Sequence, residues 1–233
     1  MKNPSFTELT AELQSGAAKR FLALTNNGPA ALPAFHDWFD VFAHAARRKF
    51  SPHCRYLSTE YFRTSRILRG ALDAEIAGFH PDVALVLVSG TEYEDGGVPF
   101  DPAETADNLH AIGRTLRTAG CVPVFMTYYG IDDHGNPPEV LRHVRGNMER
   151  VRQAAADCGA GLIDHTRRWD RLQQCYPALY RSLMADPLHA NPEGYTLMGV
   201  DIVRAFGAPL DRGLSPQLDR VLALQELLDA IAE

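Results

Sequence analysis

Residues 83–88, Val-Ala-Leu-Val-Leu-Val, constrain the fold more than any other segment of this sequence. A strand with one face in water alternates apolar and polar residues, whereas this run is apolar and suits a strand buried on both faces. Such strands belong to parallel sheets that helices cover on both sides. The segment therefore predicts a central strand of an α/β protein.

Shorter apolar runs alternate with segments of helical periodicity along the rest of the chain. Further strands are predicted at 21–24, 55–57, 121–126 and 161–163. Helices are predicted at 6–18, 34–50, 65–79, 102–119, 138–158, 195–206 and 215–233. This alternation implies βαβ units with right-handed crossovers. We predict an α/β fold, a three-layer αβα sandwich around a parallel sheet of about five strands. No break in composition marks a boundary, so a single domain is expected over residues 1–233, with extra helices at both ends.

Charge and apolar content exclude several classes of partner. Lys and Arg total 23 against 29 Asp and Glu, which gives a net charge of −6. This balance offers no basic surface for a phosphate backbone, so we expect no nucleic-acid partner. The longest apolar run is far shorter than the roughly 20 residues of a membrane-spanning helix, so no membrane partner is expected. Homodimer formation through the apolar faces of the terminal helices stays open.

The cysteines and the loops give no sign of a metal or cofactor. None of the four cysteines falls in a C-x-x-C pair, which argues against a zinc site, and the low count fits a reducing compartment. The N-terminal residues lack the apolar core of a signal peptide, so we expect a cytoplasmic protein. No G-x-G-x-x-G or Walker-type loop is present, and no organic cofactor is implied. The acidic loop at 92–95 is interpreted as solvated rather than metal-binding.

Residues 186–195, Asp-Pro-Leu-His-Ala-Asn-Pro-Glu-Gly-Tyr, carry the clearest chemical signal. An Asp and a His three residues apart can place a carboxylate on the imidazole Nδ1–H, which fixes the tautomer and leaves Nε2 as a base. Asn191 is a good N-cap and Pro192 a good first-turn residue for the helix that follows. An isolated D-x-x-H pair more often caps backbone groups, so the interpretation depends on the whole string.

This ten-residue string, followed by an apolar helix, resembles the last conserved block of the SGNH/GDSL hydrolase family. Residues 20–24 are similar to the first strand of that family, 81–91 to its third block, and 101–127 to the helix and strand that follow. The resemblance implies a flavodoxin-like αβα sandwich and the hydrolysis or transfer of ester or thioester acyl groups. It also implies catalytic roles for Asp186 and His189.

The loop after the first strand departs from the family pattern. The Gly-Asp-Ser-Leu of the family falls on residues 25–28, Thr-Asn-Asn-Gly, which puts Asn27 at the position of the nucleophilic serine. Because a carboxamide nitrogen is not appreciably nucleophilic, Asn27 cannot form the ordinary acyl-enzyme.

The two blocks that supply oxyanion donors in the family also differ. No glycine occurs at 56–61, where the second block would have one. The third-block Gly-x-Asn-Asp falls on residues 90–93, Gly-Thr-Glu-Tyr, or one residue earlier, so that Glu92 or Thr91 replaces the Asn donor. A carboxylate at that position would repel a developing oxyanion.

Three hypotheses follow. In the first, the chain is a hydrolase or acyltransferase for a small molecule, in which the Asp186–His189 pair is the general base for water or for Thr25, Ser58, Ser89 or Thr91. The catalytic residues are then His189, Asp186 and Asn27, and the substrate- or oxyanion-binding residues are Thr25, Asn26, Gly90, Thr91 and Glu92.

The other two hypotheses use the same fold differently. Glu92 and His189 could form the acid–base pair of a lyase, isomerase or cyclase, with two pKa values separated by their environments. Alternatively, the chain is a catalytically inactive binding protein. Near the same rim, Tyr93, Phe100, Tyr128 and Tyr129 are interpreted as an aromatic wall to which about half of them contribute.

Overall fold

The computed structural model describes residues 4–25, 38–59, 64–88, 90–93, 98–208 and 210–232. Its sheet has five parallel strands in the order β2-β1-β3-β4-β5. The strands are β1 (Arg20–Thr25), β2 (Arg55–Thr59), β3 (Val83–Leu87), β4 (Val122–Met126) and β5 (Gly161–Ile163). The predicted α/β class and parallel sheet are confirmed.

Helices lie on both sides of this sheet. They are α1 (Phe6–Gln14), α2 (Trp38–Lys49), α3 (Ser65–Phe79), α4 (Pro102–Thr118), α5 (Pro138–Asp157), α6 (His165–Cys175), α7 (Pro177–Ser182), α8 (Pro192–Ala205) and α9 (Pro216–Ala232). Helices α3, α4 and α5 pack side by side, while α8 packs between α2 and α9. Among the described residues, no helix combines the length and the apolar character that a membrane crossing requires.

The apolar runs become strands because both faces of the sheet are covered. All five residues of β3 and all five of β4 are buried. Pro123 is tolerated in β4 because β5 begins opposite Val124, one residue further along, so the missing N–H of the proline removes no bond to that neighbour. Burial on both faces is the condition that a continuous apolar run satisfies.

The strand order places a crevice at the carboxyl ends of β1 and β3. Strand β1 lies between β2 and β3, and Thr25 at its end pairs with Leu87 at the end of β3. The chain moves outward in opposite directions from these two strands, and ligands of open α/β sheets bind at such a switch point. The carboxyl ends of β1 and β3 therefore border the place where a sheet of this kind binds ligands.

Sequence reasoning missed α6 and α7, which lie between β5 and α8. Helix α6 buries His165, Trp169 and Leu172, a sparse stripe in an otherwise polar segment. Because so few positions are apolar, the helical period is weak there, and the Asp164 side chain that accepts a hydrogen bond from Arg167 N–H marks the start instead.

A buried polar cluster joins α6, α8 and α9. The Asp201 carboxylate accepts hydrogen bonds from His165 Nδ1 at 3.0 Å and from Gln225 Nε2 at 3.0 Å, and Arg168 lies 3.3 Å away. Burial raises the pKa of Asp201, but these partners outweigh burial and hold the pKa below its usual value. The cluster attaches the C-terminal helix to the domain.

Candidate active site

The structure brings the Asp186 carboxylate and the His189 imidazole together. His189 Nδ1 lies 2.8 Å from Asp186 Oδ2 and 3.0 Å from Oδ1. The carboxylate Oδ1 also accepts hydrogen bonds from the backbone N–H groups of Leu188 at 2.8 Å and His189 at 2.9 Å. With Nδ1–H donated to the carboxylate, Nε2 carries the lone pair of the neutral ring.

The environment of Asp186 keeps it ionised at neutral pH. Desolvation raises the pKa of this carboxyl, but the hydrogen bonds from Leu188 and His189 have the larger combined effect and lower the pKa below its usual range. Both side chains are half exposed, at 58% for His189 and 50% for Asp186. An ionised carboxylate that holds Nδ1–H is the arrangement by which an Asp orients a catalytic imidazole.

A short loop ahead of α8 presents the pair. Its ends are held by the isolated bridge between Met184 and Ala190. Asn191 caps α8, since its side-chain oxygen accepts from Gly194 N–H at 3.0 Å, and its amide donates to Ser182 O at 2.7 Å. A Cβ on Gly194 would come within 2.6 Å of Leu183 O, so a larger residue does not fit there. The predicted cap is confirmed, and α8 begins earlier than predicted, at Pro192.

The turn after β3 lies beside this loop. Side chains of α5 donate hydrogen bonds to the backbone carbonyl oxygens of this turn. Asn147 Nδ2 donates to Gly90 O at 3.0 Å, and His143 Nε2 donates to Thr91 O. The Tyr93 ring stacks on the His143 ring at 5.1 Å. His143 and Asn147, four residues apart on one helix face, were missed because their partners lie more than 50 positions away.

Glu92 does not face the cavity at His189, contrary to its expected place among the substrate- or oxyanion-binding residues. Its side chain is fully buried, and its carboxylate accepts bonds from Ser65 N–H at 3.0 and 3.1 Å and from Ser65 Oγ at 2.5 Å. Glu92 has a positive φ of 45°, in the left-handed region that few residues other than glycine adopt. Burial raises the pKa of Glu92 to about 7, despite the opposing effect of the Ser65 hydrogen bonds.

His189 opens onto a cavity of about 230 Å³. Most of the wall is apolar or backbone, and the lining residues are Gly90, Thr91, Tyr93, Tyr128, Ile131, Val144, Leu188 and His189. Gly90 and Thr91 thus line the same cavity as His189, and their part in substrate binding stays a prediction. Tyr93 and Tyr128 belong to the wall, whereas Tyr129 packs on Trp169 and Phe100 lies under the Arg66 guanidinium.

Hydroxyl groups of three tyrosines meet behind the cavity. Tyr128 Oη lies 2.7 Å from Tyr129 Oη, which lies 3.1 Å from Tyr195 Oη. Burial raises the pKa of all three phenols, so each remains a protonated donor. The sequence pattern gave no signal for this cluster, because two of the residues follow β4 and the third belongs to α8.

Several predicted residues cannot be placed. The backbone of Thr25 ends β1, but its side chain, Asn26, Asn27 and Ser89 lie outside the described part of the chain. Within the described ranges, no group of three or more His, Cys, Asp or Glu side chains is arranged to hold a metal ion.

Solved structures with the same fold include several esterases. An α/β hydrolase from the metagenome of Lake Arreo, LAE5, superposes with a TM-score of 0.69 at 16% identity, covering 85% of this chain and 100% of its own. Axe2, an acetylxylan esterase from Geobacillus stearothermophilus, gives 0.66 at 14% identity, covering 85% and 100%. The acetyl xylan esterase AlAXEase gives 0.68 at 14% identity, covering 80% and 98%. At these identities the likeness shows the fold alone.

Sequence comparison identifies the family. No curated protein matches the chain with significant similarity. The family described as GDSL-like lipase/acylhydrolase matches residues 24–197, which is most of the chain and includes the Asp186–His189 pair. This match confirms the resemblance found in the sequence. The chain belongs to the GDSL-like lipase/acylhydrolase family.

Proposed function

We propose that this chain is a hydrolase or acyltransferase that acts on an ester or acyl group of a small, uncharged molecule. The observation that carries the proposal is the Asp186–His189 pair, at 2.8 Å, opening onto a cavity with mostly apolar walls. Membership of an acylhydrolase family supports it. The Axe2 esterase, which shares the fold, has been solved as catalytic mutants at an aspartate and at a serine, and the proposal keeps an aspartate but has no counterpart of the serine.

In this proposal His189 is the general base. Its Nε2 takes a proton from water, or from the Thr91 hydroxyl, as the oxygen attacks the substrate carbonyl carbon. The imidazolium that forms is stabilised by the Asp186 carboxylate and then gives the proton to the departing alkoxide. For attack by water, the products are one carboxylic acid and one alcohol.

Asn27 and Asn26 are proposed as donors to the oxyanion rather than as nucleophiles. An amide N–H can stabilise a developing negative charge, but an amide nitrogen cannot form an ordinary acyl-enzyme. Water therefore takes the place of the missing serine, unless Thr91 supplies the hydroxyl. Glu92 does not enter this mechanism, since its carboxylate is bound by Ser65. That contact gives no support to a lyase or isomerase that pairs Glu92 with His189.

Hydrolysis of p-nitrophenyl acetate by wild type, His189→Ala and Asn27→Ser tests the proposal. His134→Ala is a matched control, because that histidine is exposed in a neighbouring loop. We expect turnover by wild type and by the control, and loss of turnover in His189→Ala. Equal rates in wild type and His189→Ala would exclude His189 as the base.

A gain of activity in Asn27→Ser alone would point to the inactive binding protein instead. In that outcome, wild type is inert while Asn27→Ser hydrolyses the ester in a His189-dependent way. The scaffold would then be competent, with acyl chemistry removed by the substitution at position 27. Intact-mass detection of a trapped acyl adduct would show whether the restored serine is the nucleophile.

A further inference from the structure

The loop after β4, residues 131–137, contacts the loop that carries Asp186 and His189. The carbonyl oxygen of Pro187 accepts hydrogen bonds from Asp132 N–H at 3.0 Å and from Asn136 Nδ2 at 3.0 Å. The same Asn136 amide donates to Asp132 O at 2.9 Å, which closes its own loop. Asn136 therefore connects the two loops through a single side chain.

Gly135 allows this close approach. A Cβ atom at Gly135 would lie 2.6 Å from Pro187 Cβ and 2.7 Å from Pro187 Cγ, well inside van der Waals contact. The proline ring is stiff, so it cannot move aside as a flexible side chain would. The two loops touch here only because residue 135 has no side chain.

The Pro187 carbonyl matters because of the peptide unit to which it belongs. In that unit the C=O of Pro187 accepts from Asn136, and the N–H of Leu188 donates to Asp186 Oδ1 at 2.8 Å. A peptide unit is planar, so a bond that fixes its carbonyl also fixes the direction of its N–H. The Asp186 carboxylate in turn holds His189 Nδ1.

Packing alone does not fix this pair. His189 and Asp186 are 58% and 50% exposed, so neither is held in place by a surrounding core. Their orientation depends on hydrogen bonds within the loop and on the contacts from residues 132–136.

We propose that Asn136 is a positioning residue for the general base. Together with the backbone N–H of Asp132, its amide holds the Pro187–Leu188 peptide, and through it the Asp186 carboxylate and the Nδ1–H tautomer of His189. The effect of Asn136 on kcat rests on the proposed function, whereas its effect on the tautomer of His189 can be measured whether or not the protein is a hydrolase.

The test compares wild type with Asn136→Leu, which keeps the size of the side chain and removes its donors. In ¹⁵N-histidine-labelled protein at a pH where the imidazole is neutral, two-bond ¹H–¹⁵N correlations report the tautomer of each ring. The His189 signals are identified by their loss in His189→Ala. We expect the Nδ1–H form of His189 in wild type and a shift toward the Nε2–H form in Asn136→Leu.

Kinetics and a second variant complete the test. With p-nitrophenyl acetate we expect Asn136→Leu to lower kcat by at least about tenfold with KM changed less than about twofold, since misorientation of a base acts on the chemical step. Gly135→Ala should shift the tautomer in the same direction by displacing Pro187, while His134→Ala in the same loop should change neither readout. Thermal unfolding followed by circular dichroism checks that each variant is folded.

The outcomes separate this proposal from the function. An unchanged His189 tautomer in folded Asn136→Leu overturns the positioning role of Asn136, whatever Gly135→Ala shows and whether or not the protein hydrolyses esters. An inert wild type with a shifted tautomer overturns the proposed hydrolysis and leaves the positioning role supported.

Discussion

Replacing Asp186 tests the orientation of the His189 imidazole with little effect expected on folding, because the side chain is half exposed. Asp186→Asn retains the shape but loses the charge that stabilises the imidazolium, and it puts an NH2 donor in place of one of the two oxygens near His189 Nδ1. We expect kcat for p-nitrophenyl acetate to fall about 10³–10⁴-fold, as when the aspartate of a catalytic triad is replaced. Steady-state kinetics check this, with Asp211→Asn, an exposed partner of Lys49, as the control. Wild-type kcat in Asp186→Asn would show that the carboxylate has no catalytic part.

Glu92 predicts a pH-dependent stability. Its pKa is about 7 in the folded chain, above the ordinary value of 4.5, because burial disfavours the charged form. A raised carboxyl pKa contributes stability below pH 4.5, and that contribution is lost as the pH rises through 7. Relative to Glu92→Gln, which resembles the protonated acid, wild type should therefore lose about 3 kcal/mol of unfolding free energy between pH 4.5 and 8.

Urea unfolding of the two proteins at pH 5 and pH 8 measures this difference. We expect the unfolding free energy of Glu92→Gln, relative to that of wild type, to be higher at pH 8 than at pH 5. A constant difference across the pH range would mean that Glu92 titrates as an ordinary exposed carboxyl.

These two residues also show what a sequence can and cannot predict at a site. Asp186 and His189 are three positions apart, so local geometry alone brings their side chains together. The partner of Glu92, Ser65, is 27 positions away, and Glu92 itself has a left-handed φ of 45°. The spacing of residues in the sequence predicts neither this distant contact nor this backbone conformation. The Glu92 side chain, which was expected at the substrate, lies at the start of α3.

At the scale of elements, the cap of α8 links helix stability to the site. Asn191 satisfies Gly194 N–H and also donates to Ser182 O. We expect Asn191→Ala to cost about 1–2 kcal/mol of unfolding free energy, the usual cost of removing an N-cap. Asn191→Asp keeps the capping oxygen and loses the donor, so it separates the two contributions. Chemical denaturation measures both, and an Asn191→Ala protein as stable as wild type would contradict the capping role.

Elements with dense apolar patterns were predicted well, and sparse ones were not. Helix α3 has the predicted bounds Ser65–Phe79, because a regular apolar stripe and a Thr64 cap agree there. Helix α6 buries its few large residues beneath a polar surface, so its periodicity was too weak to see. The interior of a strand buried on both faces can be predicted from its continuous apolar run. The first and last residues of a helix are harder to predict, because several residue types can serve as caps.

At the scale of the whole molecule, the Asp201 cluster predicts the largest loss of stability. Asp201→Ala would leave the buried His165 and Gln225 without their shared acceptor and would leave Arg168 its bond to Asp229 alone. Removing one partner from a buried charged cluster costs about 3–5 kcal/mol, so we expect a markedly lower Tm. Asp157→Ala, which removes an exposed partner of His110, is the control and should change Tm little. Differential scanning calorimetry measures both, and equal Tm values would show that the Asp201 cluster contributes little to the stability of the fold.

The half-exposed position of His189 has a consequence for how such a chain changes over generations. The residues that hold the fold together are the buried strands and the clusters between helices, whereas His189 lies on a loop fixed by a few hydrogen bonds. Selection for folding and selection for a reaction therefore act on largely different positions. In the proposed function, where Asn27 stands at the nucleophile position, a change at the site therefore leaves the buried strands and helix clusters intact, and the chain stays folded while its chemistry changes.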